Sequence, residues 1–596
     1  MSEFKYEKYK NKYLKLKKNI NFNLKAVLEN NENIKKNFGV LLYEYLKKFN
    51  IKYYFGVPSD LNMPLFDSLK KCDDLEDNKI SFIASRNELN ASYIAEGYAR
   101  NNFFSLCIVG GMVGSLSASN GLGNSISEKN PILMIGGGNN NNDEMEGKLS
   151  HHTLFKGIND QTKIYKIMEE LVGYENCFKL DSLENSSIFN INKNIINSII
   201  NFNSIYLLLP ANLQNKNIIS EKCIQECLTI IIKKYENMKN DILIKYNFIK
   251  LIKSNINIQT IQSPVILIGS AHKHLIKLGI NLIDDSFYEY IKKINGKLYF
   301  TIDAKGLLDE KNDCVKGCYW GGVTTNNILE EFEKASNNKS LIYLGVILSD
   351  YNTTGYTSLF KPTFSIDCEN IHTNSRQITL NNYDIKNEAN EITMSIVKGI
   401  QDLIDLDNKD IDMVVETGSS WYIASNLIIS KGYGFNISMR YGSIGWGFPA
   451  SIGYSLSVPN RKTICLSGDG AFYCVMQELS TAAILGKNKQ INLILIIINN
   501  NKYQVENALD KQIYNNLPLI DLVNVSKSYG CDEKNVKKCS INNFANVLKN
   551  IYLMEKDFYV IILEVPDDLI DTKIKNWAKL VSDYTTKYSG NGTFEK

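Results

Sequence analysis

At 596 residues the chain is too long for one hydrophobic core and suits about three domains of ~150–200 residues each. Its composition, 44% apolar and 22% charged, is that of a folded globular protein, and a net charge of +3 over this length excludes a broad basic nucleic-acid footprint. No apolar run reaches the ~18–20 residues of a membrane span, the longest, Ile491–Ile498, being strand-sized.

The chain opens on a charged, Lys- and Tyr-rich extension, 1–36, with partly helical character. Lys5–Lys18 lacks the apolar stretch of a secretory signal, so a reducing, cytoplasmic compartment is expected. Twelve cysteines without a dense framework suit reduced, buried thiols. The pairs Cys223/Cys227 and Cys314/Cys318 lack the usual zinc-knuckle spacing.

From Phe38 a rhythm begins. Val40–Phe49 has helical periodicity and Lys52–Phe55 reads as a strand; Met63–Leu69 is helical and Ile80–Ala84 a strand. Glu88–Arg100 is a helix, Ser105–Val109 a strand, Leu116–Ile126 a helix and Ile132–Ile135 a strand. The Gly- and Asn-rich stretch Gly136–Asn142 reads as a turn-forming loop. A second α/β region opens with the strand Pro264–Gly269, after the irregular stretch Asn255–Gln262. A third opens with Met413–Glu416, after a linker at Asn382–Asn390. Strands alternating with helices predict parallel sheets flanked by helices, an α/β chain of three consecutive domains. The expected boundaries are 37–220, 221–390 and 391–580, with a tail at 581–596.

The third region holds the most specific motif. The strand Thr463–Ser467 runs into Gly468-Asp469-Gly470, followed by a helix over Val475–Leu485, the strand Ile491–Ile498 and Asn499-Asn500-Asn501. Polar residues then stand at the carboxyl ends of two parallel strands, where open sheets bind ligands. Glycines let backbone amides approach a phosphate, and a carboxylate with an amide oxygen suits Mg²⁺, a hard ion. A plain strand–helix turn uses the same residues, but the later Asn run strengthens the metal–diphosphate reading.

These residues resemble the signature of the thiamine-diphosphate enzymes, GDG followed by NN. The resemblance makes thiamine diphosphate and Mg²⁺ the implied cofactors. It makes Asp469 and Asn500 metal ligands, with the backbone carbonyl of Lys502 a third, and puts Gly468, Gly470 and Ala471 at the diphosphate. The segment Ala471–Ile498 is a few residues longer than usual. Ala471 and Lys502 stand where the family commonly has Ser and Gly. The implied architecture is an N-terminal pyrimidine-binding (PYR) domain and a C-terminal diphosphate-binding (PP) domain around a Rossmann-like middle domain.

Within that family, further motifs resemble the pyruvate and indolepyruvate decarboxylase group. Ser85-Arg86-Asn87-Glu88-Leu89-Asn90-Ala91 precedes Gly97-Tyr98-Ala99-Arg100. By its position alone Glu88 is an acid favoured at a helix N-terminus. The resemblance makes it the carboxylate that shares a proton with the aminopyrimidine of thiamine diphosphate and so helps to form the ylide. Gly56-Val57-Pro58-Ser59-Asp60-Leu61-Asn62 and His151-His152-Thr153-Leu154 look like the group's Asp and His pair, although adjacent His on a loop can also be idle or bind zinc. Tyr503-Gln504-Val505-Glu506 stands for Y-T-I-E, making Glu506 face the reacting carbon, with Val505 and Leu509 as an apolar wall. Glu416-Thr417-Gly418-Ser419-Ser420-Trp421 matches the segment at the diphosphate and substrate, and Trp421 is otherwise a core aromatic. Gly442-Ser443-Ile444-Gly445 carries Ile444, expected to bend the cofactor, and Gly345–Thr353 resembles G-x-L-x-S-D-x-N-T. Gly110 and Met112 depart from the pattern near the expected cofactor ring.

The implied reaction is non-oxidative decarboxylation of a 2-oxo acid through an enamine, pyruvate giving acetaldehyde and CO₂. Asp60, His151, His152 and Glu506 would relay protons, and Trp421 would narrow the pocket toward pyruvate. A larger 2-oxo acid, indolepyruvate or phenylpyruvate, and an acetolactate-synthase-like carboligation are rival activities. A weakened structural homologue is the rival of another class. Because Glu88 and Asp469 fall in different domains, the resemblance implies a site shared between subunits of a homodimer or homotetramer, with neither nucleic acid nor membrane as partner.

Overall fold

Runs of Ile, Leu, Val and Tyr four to seven residues long are too short for helices and apolar on both faces, which suits the interior strands of parallel sheets. The computed structural model bears this out; it describes residues 35–75, 79–148, 151–152, 160–245, 252, 261, 263–280, 283–368, 389–406, 410–430, 434–567 and 572–589. The extension before Lys35, most of Asn255–Gln262, the linker over 382–388 and the tail beyond 589 lie outside the described residues.

The first sheet has strands β1 (Tyr53–Gly56), β2 (Ser81–Ala84), β3 (Ser105–Gly110), β4 (Ile132–Gly138), β5 (Cys177–Lys179) and β6 (Ile205–Pro210). They are all parallel, in the order β2-β1-β3-β4-β6-β5. The middle sheet, β7 (Val265–Ile268), β8 (Lys297–Thr301), β9 (Val315–Tyr319), β10 (Leu341–Leu344) and β11 (Phe364–Ile366), is parallel with the order β9-β8-β7-β10-β11. That is the order of a dinucleotide-fold sheet. The third comprises β12 (Ile411–Val415), β13 (Phe435–Ile437), β14 (Lys462–Gly468), β15 (Leu493–Asn499), β16 (Val536–Ser540) and β17 (Phe558–Glu564), ordered β13-β12-β14-β15-β17-β16. Counted from its own first strand, the third sheet repeats the order of the first.

Strand β15 shows how the third sheet is held. Leu493, Leu495 and Ile497 enter one apolar core, while Ile494, Ile496 and Ile498 enter the core on the opposite face. Alternate residues thus bury both faces, each Ile or Leu contributing about 1.5–3 kcal/mol. The first and third layers meet where helix α1 (Glu88–Ala99), which is followed in the chain by α2 (Val113–Ser127), crosses α3 (Gly447–Ser457). Gly97 lies against the carbonyl of Ala450 and Gly453 against that of Ile94, so close that a methyl at either would overlap backbone. Buried Glu96 accepts from Trp446 Nε1 at 2.8 Å and from Arg100 Nε at 2.9 Å, and Arg100 also lies over the Trp446 ring.

Two expectations are corrected. Gly136–Gly138 complete β4 instead of forming a loop, and Asn141–Met145 is a short helix capped by Asn140. Gly136 and Gly137 are needed for close packing, since a Cβ at Gly136 would lie 2.3 Å from the Tyr206 hydroxyl and one at Gly137 2.5 Å from the Leu61 carbonyl oxygen. The single helix expected over Val475–Leu485 is broken into a turn of 3₁₀ helix, Met476–Glu478, and a helix beginning at Leu479.

Candidate active site

In the third sheet, β13, β12, β14 and β15 are neighbours, so the segments leaving their carboxyl ends converge. β12 leads into Glu416–Trp421, β13 into the turn that holds Gly442 and Ile444, β14 into Asp469, and β15 into Asn500. Asp469 opens the short helix α4 (Asp469–Tyr473); its side chain is 1% exposed and ties the two central turns together. One carboxylate oxygen accepts from Gly470 N (2.8 Å) and the other from Asn500 N (2.9 Å) and Asn501 N (2.6 Å). Burial pushes Asp469 up to about 6, against the pull of these amides. Asn501 takes a left-handed conformation, φ 55°, which Asn tolerates and which turns the chain sharply after the strand.

Beyond α5 (Leu479–Lys487) and β15, the chain enters α6 (Gln504–Leu509). Asn501 O and Tyr503 N, on either side of Lys502, bond Leu517 N and Asn515 O at 2.9 Å each, closing a bridge that holds the entry to α6. Asn500 Nδ2 donates to Gln504 Oε1 at 2.6 Å. On the other side, fully buried Glu416 accepts from Thr417 N (2.8 Å), Gly445 N (3.2 Å) and Gly447 N (2.7 Å), fixing the turn that presents Ile444. Burial pushes Glu416 up to about 7.

These segments line one cleft, open to solvent. Thr417, Gly418, Ser419, Trp421, Gly442, Ile444, Gly468, Asp469, Gly470, Ala471, Asn500, Lys502, Val505 and Glu506 all line it. A Cβ at Gly418 or Gly468 would meet nothing within 4 Å, so both glycines face open space. Buried Trp421 Nε1 and Gln504 Nε2, on two of the lining residues, have no hydrogen-bond partner among the described residues. Oxygen donors beside backbone cradles and unmatched donors fit a divalent cation with a diphosphate. Leu509 is the exception among the expected wall residues. One helical turn beyond Val505, it does not line the cleft and packs against the core of the third sheet.

The other expected residues lie at the matching edge of the first sheet. Asp60 follows β1 and Glu88 follows β2, the neighbouring strand. Asp60 Oδ2 lies 3.3 Å from His151 Nε2, and His151 and His152 have ring centroids 4.4 Å apart, both exposed. Glu88 lies where a methyl at Gly114 would come within 3.4 Å of its Oε1. None of Asp60, Glu88, His151 and His152 lines the cleft formed by the third sheet of the same chain. Thr153 and Leu154 lie outside the described residues.

Several contributors escaped the sequence reading. Buried Glu478, between α4 and α5, accepts from Ser85 Oγ and Arg86 N at 2.7 Å each and from Asn90 Nδ2 at 3.3 Å, binding the approach to Glu88. Tyr351 enters from the middle domain; its ring lies 5.4 Å from that of Trp421, and it lines the cleft. It belongs to the Gly345–Thr353 pattern, which was a usable signal. Trp577, on helix α7 (Thr572–Ser589), completes the wall and lies in no recognisable motif.

Comparison with known proteins matches residues 36–164 to the N-terminal TPP binding domain of thiamine pyrophosphate enzymes and residues 416–563 to their C-terminal TPP binding domain. Thiamine pyrophosphate and thiamine diphosphate are one compound. Similar curated proteins include a probable pyruvate decarboxylase of Schizosaccharomyces pombe, 26% identical over 80% of this chain and 84% of that protein. A pyruvate decarboxylase of Neurospora crassa is 25% identical over 87% and 90%, and pyruvate decarboxylase 1 of Arabidopsis thaliana 27% over 77% and 76%. With both binding domains matched on the two like-ordered sheets, and the similarity running through the region between them, the chain belongs to the thiamine pyrophosphate enzymes.

Proposed function

We propose that this enzyme decarboxylates a 2-oxo acid without oxidation, converting pyruvate to acetaldehyde and CO₂ with thiamine diphosphate and Mg²⁺. The observation that carries the reading is the cleft itself: Glu506 shares it with Asp469, Asn500 and the aromatic wall of Trp421 and Tyr351. Thiamine diphosphate, when bound, would supply an acidic carbon able to attack a 2-oxo group and to take up the electrons that CO₂ leaves behind. Asp469, Asn500 and the Lys502 carbonyl hold the metal, and Thr417, Gly418, Ser419, Gly468, Gly470 and Ala471 surround the diphosphate. Ile444, which lines the cleft, would pack against the bound cofactor. Glu506 holds and delivers a proton at the reacting carbon, while Trp421 and Val505 exclude water and limit substrate size.

Glu88, Asp60, His151 and His152 act from a second copy of the chain. Their position away from the cleft of their own chain supports this. So do the half-exposed apolar side chains Val113 and Leu116 on α2 and Tyr441 and Ile444 beside it, the last 49% exposed. Asn120 Nδ2 to Ser443 Oγ, 3.2 Å, joins the two segments into one face, which a homodimer, alone or within a tetramer, would cover. A cytoplasmic location belongs to the same proposal; among the described residues no helix is long and apolar enough to cross a membrane.

The test is a coupled assay of purified protein with pyruvate, thiamine diphosphate and Mg²⁺, following acetaldehyde through an alcohol dehydrogenase and NADH. The expected result is NADH loss that Glu88→Gln abolishes. Acetolactate as the main product, or a far higher kcat/KM for phenylpyruvate or indolepyruvate, would overturn the pyruvate assignment. No turnover of any of the three above the Glu88→Gln control would overturn the enzymatic reading.

A further inference from the structure

We infer that Gln504 is a positioning residue for the metal, holding the Asn500 amide with its oxygen toward the cation and its own amide NH₂ toward the diphosphate. The inference rests on the reading of the cleft as a metal–diphosphate site and goes beyond it in assigning a residue outside the ligand set.

An Asn side chain carries an oxygen and an NH₂ group of similar size, and only the oxygen can ligate a hard cation. Nothing in Asn500 itself decides which end faces the cleft. Its backbone N–H is bound to Asp469 and its Nδ2 to Gln504 Oε1 at 2.6 Å. With the NH₂ committed to Gln504, Oδ1 is the end left for the Asp469 side of the cleft. The reverse pairing would use Oδ1 as the acceptor and turn an NH₂ group toward a cation.

The other end of Gln504 is the second observation. The residue is 4% exposed, as is Asn500, and both line the cleft. Gln504 Nε2 is buried and has no hydrogen-bond partner among the described residues. An unmatched buried donor is costly, and that cost is removed when an acceptor arrives. Gln504 lines the same cleft as Asp469 and open-faced Gly468, where the acceptor that fits is an anionic oxygen of the diphosphate. One side chain then serves the metal through Asn500 and the anion directly. The Thr of the Y-T-I-E pattern is too short to span the same gap from the start of α6.

Mn²⁺ provides a readout independent of turnover, because the electron paramagnetic resonance signal of the free ion falls as it binds. Full-length protein is titrated with Mn²⁺ in the presence of thiamine diphosphate, for wild type, Gln504→Leu, Gln504→Thr, Gln504→Glu and Asp469→Ala. Loss of a group that orients a metal ligand typically weakens affinity about 10–100-fold, and that loss is expected for Gln504→Leu and Gln504→Thr. Gln504→Glu keeps the acceptor for Asn500 and, titrated with Mn²⁺ without thiamine diphosphate, is expected to bind the ion as wild type does under the same conditions; a separate calorimetric titration is expected to show weakened inorganic pyrophosphate, which would then face a carboxylate. Wild-type Mn²⁺ affinity in folded Gln504→Thr or Gln504→Leu, judged by circular dichroism and Tm, would overturn the inference. Failure of the site reading is separate: wild type would then bind Mn²⁺ no better than Asp469→Ala, and the inference would fall with it.

Discussion

Replacing Glu478 by alanine removes one carboxylate oxygen that receives three donors from a segment 388–393 residues earlier in the chain. Ser85 Oγ, Arg86 N and Asn90 Nδ2 would lose their acceptor, and the Ser85 and Asn90 side chains are buried. Stranded donors cost about 1–3 kcal/mol each. Against this, the second oxygen of Glu478 is buried without a partner among the described residues, so removing it relieves some desolvation. The balance is a loss of about 3 kcal/mol for Glu478→Ala. Glu478→Gln keeps an acceptor without its charge and should lose about half as much. The damage should be local first, because Arg86 stands two residues before Glu88. Urea denaturation measures the global loss, and amide hydrogen exchange at Arg86 reports the loop. A loss below about 0.5 kcal/mol, within the range of ordinary surface substitutions, together with unchanged protection at Arg86 would refute the reasoning.

Gly453→Ala would place a methyl 1.9 Å from the Ile94 carbonyl oxygen, and the two packed helices leave it no room. A loss of about 3 kcal/mol, the upper end for overpacking, should lower Tm in thermal unfolding. Lys277 bonds Ala99 O, Lys129 O and Asn130 Oδ1 across the first and middle domains, and burial pushes it down to about 7. Between pH 7 and its ordinary value of 10.5 the unfolded lysine keeps a proton that the folded one releases, so its contribution grows with pH and is lost as pH falls through 7. Lys277→Met should therefore flatten the rise of unfolding free energy from pH 7.5 to 9, by on the order of 1 kcal/mol per pH unit, measured by denaturation at each pH. Trp421→Ala should open the cleft and raise the phenylpyruvate-to-pyruvate ratio of kcat/KM by at least about tenfold in the decarboxylase assay, since even one methylene of pocket space is worth that much.

The legible part of the site is the part built from short stretches of chain. Gly468-Asp469-Gly470 and Asn499-Asn500-Asn501 end two strands whose apolar runs are plain in the sequence, and Asp469 does bind the amides of Asn500 and Asn501. The glycines at 136–138 were misread because a glycine needed for a turn and one needed for close approach look identical in sequence. Only the Leu61 carbonyl beside Gly137 distinguishes them. The break before Leu479 was missed for a similar reason: Glu478 lies within a helical pattern, and its binding to Ser85 and Arg86 depends on a distant loop.

By itself the sequence determined the local elements, the turn chemistry at the ends of β14 and β15, and the kind of cofactor those turns could receive, because each depends on residues within one strand–helix–strand unit. The tertiary structure decided which strands are neighbours, and so that four separate turns form one cleft. It decided that Tyr351 and Trp577 wall it, that Leu509 does not, and that Asp60, Glu88 and the His pair stand apart from it. Backbone geometry and hydrophobic periodicity are local properties, whereas the lining of a cleft depends on how distant faces bury one another, and no spacing along the chain encodes that.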